Sequence, residues 1–206
     1  MFKRRGRVFV ISGPSGVGKG TLVRDVLKQR SLHLSISYTS REPRFNEEEA
    51  KSYHFISKDN FKKMIDEGAF AEWAEVYGNY YGTPQRELEK HLARGEDVIL
   101  EIEMLGAGQI RKMGEDAVLI FVLPPNLNML EERLSSRGTE SEEAIAQRLS
   151  CAMDELKYLK DYDYYLVNND IENTTRQLLA IMEAESHSVS DAFLTYLDKA
   201  GRGFSL

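Results

Sequence analysis

The chain has 206 residues, 42% hydrophobic and 29% charged, which suffices for one compact domain with insertions around a sizeable core. Its net charge of −6 argues against a nucleic-acid-binding protein. Cys151 is the only cysteine, so an intramolecular disulfide and a cysteine-based metal cluster are excluded, and no stretch is long and apolar enough for a membrane span or a signal peptide. We therefore predict a cytoplasmic protein that binds neither nucleic acid nor membranes.

A phosphate-binding loop is predicted within residues 8–21, VFVISGPSGVGKGT. A short apolar run leads into the spacing Gly13-x-x-x-x-Gly18-Lys19, and a helical apolar pattern follows it. Backbone N–H groups of such a loop surround an anion at a helix N-terminus, and the lysine reaches the outer phosphates. Gly20 follows the lysine where a Ser or Thr hydroxyl normally contacts Mg²⁺, and Thr21 comes next, so the metal ligands stay open. The alternative is an ordinary glycine turn between a strand and a helix.

Short strands and a short helix follow, which predicts an inserted mixed α/β unit between about residues 35 and 90. The predicted elements are a strand at 34–38, a polar loop with an acidic run, a strand at 53–56, a helix capped by Ser57 and ended by Gly68, a strand at 70–77 with a turn at Gly78 and Asn79, and a helix start at Thr83 with Pro84 in the first helical position.

The second half predicts buried parallel strands alternating with helices, because DVILEI (97–102) and AVLIFVL (117–123) are almost continuously apolar. Glu101 and Glu103 are expected on one side of the first strand if it persists. The remaining predicted elements are helices at 127–136 and 141–160 with a turn at Gly138 and a capping box of Thr139 and Glu142, a strand at 164–167, a helix at 174–185, and a short helix in the tail at 186–206. We therefore predict an α/β fold with a parallel sheet covered by helices on both faces.

Several separated strings together resemble the guanylate kinase family: GPSGVGK, SYTSREPR, FAEWAE, GNYYGT and RGTESEE, within a similarity from about residue 8 to 181. The resemblance implies a P-loop NTPase-type core and transfer of the γ-phosphoryl group of ATP to GMP, with Mg²⁺ accompanying ATP. It also implies three units: a P-loop core (residues 1–34, 91–125 and 158–206), a GMP-binding insert (35–90) and a helical lid that closes (126–157).

The resemblance further implies which residues bind ATP and catalyse the transfer. The ATP-binding residues are Gly13, Pro14, Ser15, Gly16, Val17, Gly18, Lys19, Gly20 and Thr21 in the loop, and Asn168 as the adenine contact. The catalytic cations are Lys19, Arg41 and three lid arginines that converge on the transferring phosphoryl group, Arg133, Arg137 and Arg148. A solvated basic face paired with Glu131, Glu132, Glu142 and Glu143 is the alternative for the lid, and a plain turn residue is the alternative for Asn168.

For GMP, the family pattern places two phosphate-binding arginines at Arg41 and Arg44, with hydroxyl groups from Tyr53 and Tyr81. Pairing of the arginines with the acidic run 47–49, and core packing of the tyrosines, are the alternatives. The guanine base offers N1–H and N2–H donors, so a carboxylate can read it and reject adenine. The residues implied for the base are Glu72, Ser37 and Thr83. Glu72 could instead be a solvated strand residue.

Departures from the family pattern leave some roles open. Glu101 and Glu103 stand where many relatives have aspartates, Leu105 where glutamine is usual, and Asn46 where glycine is common. Glu101 is counted with the GMP-binding residues, and whether it contacts Mg²⁺, a bridging water or Arg41 stays open. Four histidines lie scattered without ligand spacing, and oligomeric state is not predicted. Competing hypotheses are a non-catalytic interaction module and a kinase for another nucleoside monophosphate.

Overall fold

A computed structural model of the chain describes residues 5–44, 47–76, 78–113, 117–135, 142–189 and 194. In chain order the elements are β1 (Val8–Ser12), α1 (Lys19–Gln29), β2 (His33–Leu34), β3 (Tyr38–Thr39), β4 (His54–Phe55), α2 (Lys58–Asp66), β5 (Phe70–Val76), β6 (Asn79–Pro84), α3 (Gln85–Ala93), β7 (Val98–Glu101), α4 (Met104–Lys112), β8 (Ala117–Leu123), α5 (Leu127–Ser135), α6 (Glu142–Glu155), a 3₁₀ helix (Leu156–Asp161), β9 (Tyr164–Val167) and α7 (Ile171–Ser186).

Five strands form an all-parallel central sheet in the order β2-β7-β1-β8-β9. In the middle strand, Val10 pairs with Leu100 on β7 and with Leu119 on β8. All residues of β1 are buried, because helices cover both faces of the sheet and leave no strand face to water. The predicted buried parallel strands are confirmed.

Alternate residues of β1 point to two separate apolar clusters. Phe9 and Ile11 join the cluster under α1 and α7, whereas Val8 and Val10 join the cluster under α3 and α4. The period of two in the strand thus divides the core into two layers, one on each face of the sheet. The loop after β1 lies between these layers at the carboxyl edge of the sheet, which is where open parallel sheets bind ligands.

A second, smaller sheet has the order β4-β3-β6-β5. Helix α2 covers it with Phe61, which is fully buried and stacks on Phe70 and Tyr80 with ring centroids 4.5 and 5.4 Å apart. The predicted N-cap is confirmed, since the Ser57 hydroxyl accepts a hydrogen bond from the Asn60 N–H. The inserted unit therefore has its own aromatic core.

The predicted strand at 34–38 is wrong. The chain forms two strands of two residues there, and they belong to different sheets: β2 pairs with β7 and β3 pairs with β6. Residues 35–37 carry the chain from the central sheet to the small one. The segment divides into two strands because each part pairs with a strand that is distant in the sequence, and the local apolar pattern carries no information about those partners.

Helix α4 was not predicted. It begins directly after β7, with Glu103 at its N-cap position, so Glu101 and Glu103 are not on one face of a continuing strand. Gly106 and Gly108 lower the intrinsic helix propensity of this segment, but burial of its apolar residues against the sheet compensates.

Several element boundaries also differ from prediction. Pro84 precedes the first helical residue of α3, the predicted helix at 141–160 becomes α6 followed by a 3₁₀ helix, and α7 begins at Ile171 with an Asp170 cap. Thr139, the turn at Gly138 and most of the predicted tail helix lie outside the described residues. Among the described helices, none has the length and apolar character needed to cross a membrane.

Replacing Phe61 with alanine should lower the free energy of unfolding by about 3–5 kcal/mol, because it leaves a cavity between α2 and the small sheet. The change is measured by urea denaturation. Lys62→Ala is the control, since Lys62 is exposed on the same helix and its loss should change stability by less than about 0.5 kcal/mol. Equal effects of the two substitutions would contradict an aromatic core between α2 and the small sheet.

Candidate active site

The phosphate-binding loop runs from the end of β1 to the start of α1. Gly13, Gly16 and Gly18 have φ values of 142°, 89° and 99°, which side-chain-bearing residues rarely adopt. The ammonium group of Lys19 lies over the loop and donates to the carbonyl oxygens of Gly13 and Pro14. The conformation brings a lysine cation and the N-terminus of α1 to one place, so an ordinary glycine turn does not describe this segment.

Asn168 supports the loop from beneath. Its side-chain amide donates to the Val17 carbonyl at 2.7 Å, and a Cβ atom on Gly18 would lie only 2.5 Å from Nδ2 of Asn168. Asn168 is 5% exposed, so the alternative interpretation of Asn168 as a plain turn residue on the surface is wrong. The amide makes a structural contact with the loop in addition to any role with a nucleotide.

Arg133 links helix α5 to the phosphate-binding loop and to Asn168. Its guanidinium donates to the carbonyl oxygens of Val17 at 3.4 Å and Asn168 at 2.9 Å. Arg148 on α6 donates to the Ser15 hydroxyl at 2.5 Å. Two of the three predicted lid arginines therefore contact the loop region, Arg148 from inside the cavity and Arg133 from outside it. Arg137, the third, lies outside the described residues.

A cavity of about 380 Å³ lies between the loop and the small sheet. Most predicted site residues line it: Pro14, Ser15, Gly16, Gly18, Lys19, Gly20, Thr21, Ser37, Arg41, Arg44, Tyr53, Glu72, Tyr81, Glu101 and Arg148. Gly13, Val17, Thr83, Asn168 and Arg133 do not line it; the first four are buried in its supporting wall. One cavity thus joins the predicted ATP and GMP residues.

Arg41 is held by an acidic side chain and a tyrosine. One terminal nitrogen of Arg41 lies 2.9 Å from both carboxylate oxygens of Glu47, and its Nε donates to the Tyr81 hydroxyl at 3.2 Å. The guanidinium also lies 5.7 Å from the centre of the Tyr53 ring. Arg41 therefore does pair with the acidic run 47–49, as the alternative interpretation predicted. Arg44 contacts the same carboxylate differently, because its backbone N–H and not its guanidinium donates to Glu47.

Glu72 is a buried carboxyl group at the base of the cavity. A bulge between Phe70 and Glu72 sets the register of β5 and β6 so that Glu72 lies opposite Thr83, whose hydroxyl donates to Glu72 Oε1 at 2.6 Å. Glu72 is 4% exposed, so it is not a solvated strand residue. Burial raises its pKa to about 7, and the hydrogen bonds from Thr83 only partly offset this effect.

Gly106 makes room for this carboxyl group, and sequence reasoning missed it. A Cβ atom at position 106 would lie 2.1 Å from Oε2 of Glu72, so no other residue fits without displacing that oxygen. The signal was a glycine inside an apolar segment, which often marks a close approach of the backbone to another group. Helix α4 thus shapes the pocket that the small sheet provides.

Further acidic groups lie near the loop. Burial raises the pKa of Glu101, which lines the cavity, and the charges of Lys19 and Arg24 act in the opposite direction. Glu103 also lines the cavity but was assigned no role from the sequence. Burial and the charge of Glu103 raise the pKa of Glu155 to about 7. The region therefore combines cations for phosphates with carboxyl groups that can accept N–H donors or bind a metal ion.

Comparison with known proteins identifies the family. The guanylate kinase family model matches residues 5–185. The chain is 46% identical to guanylate kinase of Clostridioides difficile (strain 630) over 191 residues, which cover 92% of this chain and 93% of that protein. It is 47% identical to guanylate kinase of Synechocystis sp. over 183 residues, covering 88% and 95%. A crystal structure of guanylate kinase from Anaplasma phagocytophilum matches with a TM-score of 0.78 and 32% identity, covering 92% of this chain and 90% of that one.

These matches confirm the fold class and the resemblance found in the separated sequence strings. They extend over the loop, the small sheet and the helices that carry Arg133 and Arg148, so they cover all residues that line the cavity. The chain therefore belongs to the guanylate kinase family, enzymes that transfer the γ-phosphoryl group of ATP to GMP.

Proposed function

We propose that the cavity binds ATP and GMP side by side, with Mg²⁺, and that its own residues align them for phosphoryl transfer. The observation that carries this proposal is that a phosphate-binding loop and a buried carboxyl group, Glu72, line the same cavity. Phosphoryl transfer requires little covalent chemistry from a protein beyond positioning and charge neutralisation, and the cavity provides groups for both.

The ATP phosphates would bind to the N–H groups of residues 13–21, with Lys19 moving from the loop carbonyls to the outer phosphates. Arg148 would exchange its contact with Ser15 for the transferring phosphoryl group, and Arg133 and Arg137 would add charge from the lid. The side-chain NH₂ group of Asn168 donates to Val17, so the side-chain oxygen of Asn168 is the group that would accept a hydrogen bond from the adenine amine.

The GMP phosphate would bind to Arg41 and Arg44 and to the hydroxyl groups of Tyr53 and Tyr81. Arg41 is held in the position for this by Tyr81, with Glu47 as its present anionic partner. A phosphate carries more negative charge than a carboxylate and matches the guanidinium geometry equally well, so it can displace Glu47. Glu47 would thereby keep a half-buried cation paired between catalytic cycles.

The guanine base would bind to the Glu72 carboxylate through its N1–H and N2–H donors. Thr83 already donates to Oε1 of Glu72, so the ligand donors would approach the remaining lone pairs of the carboxylate. Ser37 is a buried residue that lines the same cavity and offers a hydroxyl to the base. AMP would place an unprotonated N1 against the carboxylate and would lack the N2 amine.

The residues around Gly20 fit a Mg²⁺ ion even though a loop hydroxyl is missing. The two Glu101 oxygens would lie 3.5 and 3.6 Å from a Cβ atom on Gly20, so a carboxylate occupies the side of the loop where the hydroxyl normally is. Thr21 instead accepts a hydrogen bond from Arg24. Glu101 would hold the ion, directly or through water, and the ion would neutralise charge on the ATP phosphates.

We further propose the division into a core (1–34, 91–125 and 158–206), a GMP-binding insert (35–90) and a lid (126–157). Phosphate-binding arginines occur on both insert and lid, so binding of both nucleotides should draw these units together and exclude water. The free thiol of Cys151 supports a location in the reducing cytoplasm.

The proposed reaction is tested by measuring ADP release with GMP, AMP and dGMP in parallel assays. Lys19→Ala should lower kcat with GMP by about a thousandfold or more, because no other group replaces its charge on the transferring phosphates. Lys28→Ala, which removes an exposed lysine of the same helix, should leave kcat unchanged. Activity of Lys19→Ala within a few-fold of the wild type would disprove the role of the loop.

Glu72→Gln should lower kcat/KM for GMP by roughly a hundredfold and remove much of the preference over AMP, because an N–H₂ donor replaces one acceptor oxygen. Glu75→Gln is the matched control, since Glu75 is exposed on the same strand. Arg41→Lys should instead weaken GMP binding without changing the preference for guanine. Unchanged selectivity of Glu72→Gln would place the base reader elsewhere.

Glu72→Gln should also change how the free energy of unfolding of the ligand-free protein depends on pH. The folded-state pKa of Glu72 is about 7, above its unfolded value, so its protonated form favours folding at low pH and this contribution is lost as pH rises through 7. Glu72→Gln cannot ionise and should be more stable than the wild type at pH 8, by on the order of 1–3 kcal/mol, but not at pH 4. Urea denaturation at both pH values measures the difference, and a difference independent of pH would contradict it.

A further inference from the structure

Two histidines and a glutamate outside the nucleotide cavity lie close together: His33 on β2, and Glu87 and His91 on α3. Their potential ligand atoms all lie within 4.8 Å of one another. Glu87 and His91 are four residues apart and share a helix face, and α3 places that face against the edge strand. Thus two of the four histidines that appear scattered in the sequence, His33 and His91, lie together in the fold.

His33 has a nitrogen that nothing in the described structure satisfies. Its Nε2 atom is buried without a hydrogen-bond partner, although Glu87 Oε1 lies 3.3 Å away without hydrogen-bond geometry. The His33 and His91 rings are stacked, with centroids 3.5 Å apart and planes 7° from parallel.

The second histidine is oriented by a carboxylate from the far side. His91 Nδ1 lies 2.5 Å from Glu96 Oε2, and donation of the Nδ1 proton leaves the Nε2 lone pair available. Metal-bound histidines usually have such a carboxylate partner, because it fixes the tautomer and increases the basicity of the ligand nitrogen. Glu96 thus supplies an outer partner in addition to the three candidate ligands.

We propose that His33, Glu87 and His91 bind a divalent transition-metal ion, with Zn²⁺ as the best chemical match. Two imidazoles and one carboxylate are a common Zn²⁺ ligand set, with water in the fourth position. Ligands at about 2.0–2.1 Å from a tetrahedral ion lie roughly 3.4 Å apart, so the ligand atoms need to move together only slightly. Because an imidazole binds a metal in its ring plane, binding would also require the stacked His33 and His91 rings to rotate out of parallel. Mg²⁺ does not fit, because it prefers six oxygen ligands.

The position of the cluster gives the ion a structural role. His33 precedes residues 35–37, which carry the chain out to the small sheet, and Glu87 lies in the first turn after β6, where the chain returns. A bound ion would therefore tie together both connections between the two sheets. Because the ion binds only the folded arrangement, it should stabilise the protein.

The test is Zn²⁺ binding by the full chain without a histidine tag, measured by competition with a chromophoric chelator and by thermal unfolding. The wild type should bind one Zn²⁺ per chain at about 10 μM metal and show a raised Tm, with millimolar Mg²⁺ unable to compete. His91→Gln should abolish this binding. Glu87→Gln, a milder change at a side chain that is 38% exposed, should weaken it at least tenfold.

His187→Gln is the matched control, because Glu183 on α7 and His187 directly after this helix have the same four-residue spacing but occur in no such three-residue cluster of the described chain. It should bind Zn²⁺ as the wild type does. Absence of stoichiometric binding in the wild type would overturn the proposal. Equal binding by the wild type, Glu87→Gln and His91→Gln would also overturn it, since the metal would then be elsewhere, for example at Cys151.

Discussion

Close packing around the phosphate-binding loop is the constraint on which the rest of the site depends. A Cβ atom on Gly13 would lie 2.2 Å from the Val122 carbonyl of β8, and one on Gly16 would lie 2.8 Å from a methyl group of Leu134 on α5. Asn168 from the end of β9 closes the third side. The sheet, helix α5 and the last strand therefore meet at one loop, and its shape couples them.

The electrostatics of the cavity follow from placing charged groups of both signs in a partly desolvated space. Glu72 has an unfavourable environment for its ionised form, with a hydroxyl and a glycine backbone around it. Arg41 has a favourable one, because Glu47 and Tyr81 hold it. Such a carboxyl group contributes little to stability, in line with the usual trade between stability and function, and this supports the proposal that it accepts donors from a ligand.

The sequence indicates the candidate metal cluster and the proposed nucleotide cavity in different ways. The loop was recognisable because all its residues are contiguous and its spacing follows from the size of a phosphate. In the cluster, only the spacing of Glu87 and His91 is local, and His33 comes more than fifty residues earlier. Its proximity depends on how the edge strand and α3 pack, which no local pattern encodes.

The sequence by itself determined the family, the phosphate loop, the buried strands and most of the cavity residues, because these are written in contiguous motifs and in periodic burial. Tertiary structure decided the remainder. Pairing with different partners split the segment 34–38 between two sheets, burial against the sheet made α4 a helix despite its glycines, and the approach of Gly106 gave Glu72 its surroundings. In each case the deciding contact joins residues distant in the chain, so its energy appears only when the chain is folded.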